Sequence, residues 1–156
     1  MKYTRLTKEQ LEELNQEFIN FLATQSITGE EWKKIKEQKP EVAEEELDVF
    51  SDLVWEGVLL KVDYLENIAP QHMYLFNAGE TQLRLIGLKI KREEIDLTTK
   101  EGFAWLRENL MSDEVELFNA DKSIETDKNI KIFELIKQGS TITKGELFKY
   151  FDDLIG

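Results

Sequence analysis

The sequence predicts an α+β fold, with about five or six helices and a small antiparallel β-sheet built on a hairpin near residues 72–91. Two observations carry this. Threonine followed three residues later by glutamate or glutamine recurs at TKEQ (Thr7), TGEE (Thr28), TTKE (Thr98) and TKGE (Thr143), each before apolar residues at helical spacing. Between the second and third of these, HMYLFN and TQLRLIGLKI flank the turn-forming AGE, a hairpin signature with Gly79 in the turn. A chain of 156 residues with 41% hydrophobic residues is sized for one domain, so 1–156 is expected to be a single unit.

In order along the chain, the spacing of Leu11, Leu14, Phe18, Phe21 and Leu22 predicts a helix over about 8–24. A shorter one follows from about Gly29 to Gln38, burying Trp32 and Ile35, and Pro40 suits the first turn of a third. Val62 and Tyr64 alternate with Asp63, while Asn67 and Pro70 interrupt helical spacing. In the second hairpin strand the alternation slips at Ile86, so Gly87 is expected to mark a bulge. EEIDL and EVELFN are further short strand candidates around a helix over about 99–110, with Phe103, Leu106 and Leu110 on its face and Trp105 beside it. Ile130, Phe133 and Ile136 predict a helix entered at Asp127, and Leu147, Phe148, Phe151, Leu154 and Ile155 a last helix after Thr143. No fixed-period repeat is present.

Charge is the most uneven property. Of a net −12, the stretch EVAEEELDVFSDLVWEGVLLKVDYLE (41–66) carries −8, with nine carboxylates against Lys61. On a helical projection Val42, Ala43, Leu47, Val49, Phe50, Leu53, Val54, Gly57, Val58 and Leu60 share one broad arc, read as core. Asp48, Asp52 and Glu56 fall opposite at i, i+4 spacing, forming an outward ridge with Trp55 and Leu59 on the same side. Carboxylate metal centres in helix bundles point inward and recruit histidine, so no metal site is read there. The ridge is either a solvated face or a surface for a basic partner, and Trp55 is either covered within the domain or an interface anchor.

Catalytic motifs are missing: there is no G-x-S-x-G, H-E-x-x-H, phosphate loop or dinucleotide fingerprint, and DKSIETDKNIKI lacks the glycine and glutamate of a calcium loop. With no cysteine, thiolate chemistry is closed. Carboxylate-only enzymes, whose acids meet in space rather than in sequence, stay open. Direct nucleic-acid binding is disfavoured by the net charge, and FKYFDDLIG offers Lys149 against Asp152 and Asp153 where a reading helix needs bases. TQLRLIGLKIKR holds the one basic patch, Arg84, Lys89, Lys91 and Arg92, expected to pair internally with the acidic helix or to meet a phosphate-bearing partner. No signal peptide or bilayer-spanning run is seen, so a cytoplasmic location away from membranes is expected.

MKYTRLTKEQLEELNQEF, TTKEGFAWLREN and ITKGELFKYFDDLIG together resemble a small bacterial family of unknown function, across essentially the whole chain. The resemblance implies one domain and supplies no activity, cofactor, ligand or catalytic residue. The sequence therefore points to a non-enzymatic protein-binding module. It would present Asp48, Asp52, Trp55, Glu56 and Leu59 to a protein with a basic surface, with no cofactor and no oligomeric state implied. The alternative is a small-molecule binder or small enzyme with a pocket near His72, Tyr74 and Trp105, since His72 is the only side chain that ordinarily titrates near neutrality.

Overall fold

Hydroxyl and carboxylate oxygens set the helix starts. Thr7, Thr28 and Asp127 accept backbone N–H bonds from the first turns of α1 (Lys8–Glu13), α3 (Gly29–Gln38) and α6 (Lys128–Lys137), and Thr7 forms a full capping box with Gln10. The computed structural model describes residues 1–155 and contains, among them, seven helices and five strands. The α+β class thus holds, with more helix than the spacing predicts. The additional helix arises at Leu14, which separates α1 from α2 (Asn15–Thr24). Neither glycine nor proline marks that break, so periodicity alone joins the two.

Two compact units divide the chain, Met1–Leu60 and Lys61–Gly156. The first is helical. Its aromatic cluster joins Phe18 and Phe21 of α2 to Trp32 of α3 and Phe50 of α4 (Pro40–Leu59), with Phe18 edge-on to both Trp32 and Phe50 at 5.1 Å between ring centroids. Pro40 occupies the first turn of α4, where its missing N–H is not needed.

In α4 the burial differs from the projected arc. Ala43, Phe50, Ser51 and Leu59 are buried, whereas Val49, Leu53 and Leu60 are 51%, 56% and 72% exposed. A helix face buries wherever another segment lies on it, and here the N-terminal residues lie on the acidic side. Core packing has therefore rotated away from the apolar arc towards Ser51, whose Oγ accepts the Leu6 N–H at 3.1 Å.

The second unit is a five-stranded antiparallel sheet in the order β4-β3-β2-β1-β5, together with α5 (Lys100–Glu108), α6 and α7 (Glu146–Ile155). The strands are β1 (Tyr64–Ala69), β2 (His72–Ala78), β3 (Gln82–Ile90), β4 (Val115–Ser123) and β5 (Thr141–Thr143). Met73 and Leu75 of β2 with Ile86, Leu88 and Ile90 of β3 form one face, which packs with Leu106 of α5 and Phe148 and Phe151 of α7. His72 and Tyr74 alternate onto the other face.

Several local expectations are corrected. β3 pairs β2 and β4 without interruption through Gly87, so there is no bulge; a Cβ there would meet the tip of the Phe118 ring at 2.1 Å, and the glycine makes room for that ring. EEIDL is not a strand: Asp96 Oδ1 takes the Thr98 N–H and hydroxyl, a local turn that competes with a ladder. The α5 cap is Thr99 rather than Thr98, because Thr98 is committed to Asp96. Thr143 belongs to β5 and accepts the Gly145 N–H, so α7 begins later than TKGE suggests.

Candidate functional site

The acidic ridge of α4 is met by the chain's own N-terminal segment. Asp52 accepts the backbone N–H groups of Lys2 and Tyr3 at 2.8 and 2.9 Å. Glu56 accepts the Lys2 ammonium at 2.5 Å and the Tyr3 hydroxyl at 2.6 Å. Arg5 spans Asp48, at 2.8 Å from Nε, and Glu44, at 2.7 Å from a terminal nitrogen. The i, i+4 spacing that sets three carboxylates in line also matches an extended segment carrying basic and hydroxyl groups, so the ridge works as a rail for residues 2–6.

Which forces hold that segment follows from magnitudes. Exposed ion pairs contribute about 0–1 kcal/mol each. Burial of Tyr3 and Leu6, 9% and 6% exposed, contributes about 1.5–3 kcal/mol apiece, so apolar burial anchors the segment and the charges set its register. Burial, and then the bond to Glu56, push the Tyr3 phenol up to about 12. Tyr3 also covers Trp55, with ring centroids 6.5 Å apart, and Leu59 is fully buried. The residues singled out on this helix are thus brought together, with Leu59 buried and Trp55 partly covered.

His72 and Tyr74 neighbour each other on one face of the sheet, their ring centroids 5.1 Å apart. Trp105 packs with the core on the opposite face, under the guanidinium of Arg92 at 5.8 Å. The sheet lies between them, so these three side chains do not line a common pocket. Arg84 and Arg92 of the basic patch find their partners within the second unit and not on the acidic helix: Arg84 chelates Asp152 at 2.8 and 3.2 Å, and Arg92 meets Glu94 at 2.5 Å. The Arg84 guanidinium holds the Asp152 carboxyl below its ordinary range.

A surface that spacing did not single out lies between α5 and α7. A cavity of about 440 Å³ is lined by Leu110, Met111, Leu117, Tyr150, Phe151 and Leu154 among others, with Arg107 and Glu108 at its rim. Two adjoining hollows share Arg107 and Tyr150, and one of them adds Phe103, Glu146 and Leu147, so a groove follows the two helices. Met111 is 98% exposed, and Leu154, Leu117 and Tyr150 are 55%, 42% and 39% exposed. The cause is in α7: Phe148 and Phe151 bury against the sheet, while Leu147, Tyr150 and Leu154 follow at i, i+3, i+7 on the side left over. That surplus was legible, because a ten-residue helix carrying six large apolar residues has more than one face can bury.

A smaller hollow of about 360 Å³ is lined by Glu66, Thr143, Lys144, Glu146 and Leu147. Burial pushes the Glu66 carboxyl above its ordinary range, which makes it a better proton holder than a surface glutamate.

Among the described residues no cluster of three or more metal-ligating side chains occurs, and no helix is long and apolar enough to cross a membrane. The model of a family described as "Family of unknown function (DUF6495)" matches residues 1–156, and the chain belongs to that family. No curated protein and no solved structure matches the chain.

Proposed function

We propose that this protein is a non-enzymatic protein-binding module whose partner seats apolar side chains in the α5–α7 groove. The observation that supports this reading is the concentration of exposed Met111, Leu117, Tyr150 and Leu154 around a cavity of about 440 Å³. Contiguous apolar surface of this kind is retained where a partner covers it. Glu108 and Glu146 stand at the rim with Arg107, on a chain of net −12, so the fitting partner is an amphipathic segment with basic residues beside its apolar anchors. A cytoplasmic location is part of the same proposal.

A second reading keeps the partner on α4. The Lys2–Arg5 segment already displays what the acidic ridge accepts, and its outer contacts are exposed ion pairs that a basic partner segment would exchange. Asp48, Asp52, Trp55, Glu56 and Leu59 would then act after the N-terminal residues are displaced.

Selection of a random peptide library on the intact chain separates the two readings. The groove reading expects peptides with apolar residues at helical spacing and flanking Lys or Arg, whose binding falls at least tenfold in Leu154→Glu and is unchanged in Tyr3→Ala. Binders lost in Asp52→Lys but kept in Leu154→Glu transfer the site to α4. No enrichment over an unrelated acidic domain sinks both.

A further inference from the structure

The outer edge of β4 has the geometry of a strand waiting for a partner. β4 ends the sheet, runs for nine residues, and pairs β3 along its whole length from Val115 opposite Ile90 to Ser123 opposite Gln82. Just beyond its two ends, Lys91 N–H bonds Glu114 O and Ile124 N–H bonds Thr81 O. Bonded residues alternate in an antiparallel ladder, so Glu116, Phe118, Ala120 and Lys122 turn their backbone groups to β3. Leu117, Asn119, Asp121 and Ser123 turn theirs outward, and among the described residues no backbone group accepts those four N–H groups. Only the Val115 N–H is occupied locally, by Ser112 O at 3.2 Å. Long unpaired edges are normally blunted by shortness, bulges, cover or charged side chains, and of these β4 carries only charges, Glu116, Asp121 and Lys122.

We propose that β4 pairs antiparallel with β4 of a second copy of this chain, about a two-fold axis at Asn119, to form one continuous sheet. The proposal does not rest on the groove reading, although Leu117 belongs to both surfaces. The side chains select both the occupant and the register. With Asn119 opposite itself, the outward-bonding residues pair as Leu117 with Asp121 and Val115 with Ser123, as the ladder requires. The residues between them then pair Phe118 with Ala120 and Glu116 with Lys122, twice over by symmetry. A large ring meets a small side chain and a carboxylate meets an ammonium at closely spaced, non-hydrogen-bonded positions. Sliding one strand by two residues sets, in one direction, Phe118 against Lys122 with no charge match, and in the other Phe118 against itself with Lys122 opposite Glu114, which precedes β4 and already meets Arg92 at 3.7 Å. Glu116 keeps only a 3.6 Å contact to Lys91, both side chains 58% exposed, and Lys122 has no ion pair among the described residues, so both are free to engage across the axis. The interface is isologous and closed, which gives a dimer rather than a fibre.

Sedimentation equilibrium on the intact chain tests this. The wild type is expected to approach twice the 18.3 kDa chain mass with increasing concentration. Asn119→Pro removes an outward N–H without touching the β3 ladder and should weaken association at least tenfold. Glu116→Lys and Lys122→Glu should each do the same by opposing like charges, and the double exchange should restore the dimer. Because the chain has no cysteine, Asn119→Cys should give an oxidised dimer while Ser123→Cys, facing Val115, should not. A circular dichroism spectrum equal to wild type checks that each variant folds. A monomer at every concentration overturns the proposal, and so does a dimer indifferent to all three single β4 substitutions. A dimer that Asn119→Pro breaks but the charge exchange does not restore overturns the register, and with it the two-fold at Asn119.

Discussion

The two edges of the sheet are finished in opposite ways. β5 is a three-residue strand held between two glycines of positive φ, Gly139 at 106° and Gly145 at 83°. The Tyr64 ring lies against Gly145, touches Phe148 at 5.7 Å between centroids, and is overhung by the Lys149 ammonium at 5.1 Å. β4, at the far side, is three times as long and nearly all exposed, with Val115 packed against the core at one end and the Phe118 ring over Gly87 at its middle. An edge can thus be closed by backbone geometry, which sequence shows as glycines, or left open with only charged side chains to restrain it.

The largest contrast should come from adding one methyl group beside each edge strand, at Gly145 after β5 and at Gly87 of β3 under the Phe118 ring of β4. Gly145→Ala forces a non-glycine residue into positive φ and drives its Cβ into the near end of the Tyr64 ring, where an ideal Cβ meets Cγ at 2.4 Å. A loss of about 2–4 kcal/mol is expected, read as a fall in the urea midpoint with unchanged slope. Gly87→Ala meets only the far end of the exposed Phe118 ring, which can swing outward, so a loss of about 1 kcal/mol or less is expected. In a Phe118→Ala background the same substitution should become neutral or stabilising, since alanine orders a strand better than glycine. A double-mutant cycle without such coupling would remove the ring from the account of β4.

The smallest effect concerns the half-buried Glu66, opposite Thr141 at the β5 side. Burial raises its folded carboxyl above the ordinary value, so the fold prefers the protonated form. That preference adds stability below the ordinary carboxylate range and is lost as pH rises through the raised value. Glu66→Gln is therefore expected to be the more stable chain at pH 7, with the advantage disappearing near about pH 4. Equal urea midpoints for the two chains at pH 7 would show that burial there is not felt.

Much of the local structure was legible. Thr7 and Thr28 sit where an oxygen can cap a helix, Pro40 where a helix can start, and the Gly79 turn joins β2 to β3 as alternation requires. Thr98 and Thr143 match the same capping pattern yet serve turns, because Asp96 and Gly145 offer nearer partners. β5 is too short to leave a periodic signal. The apolar arc of α4 was misread for a different reason. Amphipathicity says which side of a helix could be buried, and a neighbouring segment says which side is.

The acidic ridge shows where the division falls. A helix from Pro40 with Asp48, Asp52 and Glu56 in one row follows from residue order, because 3.6 residues per turn leave no other arrangement. That Lys2, Tyr3 and Arg5 come to lie along that row, and that Tyr3 partly covers Trp55, follows only from the folded chain. Those contacts join residues about fifty positions apart, where burial of Tyr3 and Leu6 acts together with the bonds to Asp48, Ser51, Asp52 and Glu56 against the entropy lost in ordering the segment, and no local pattern encodes that balance.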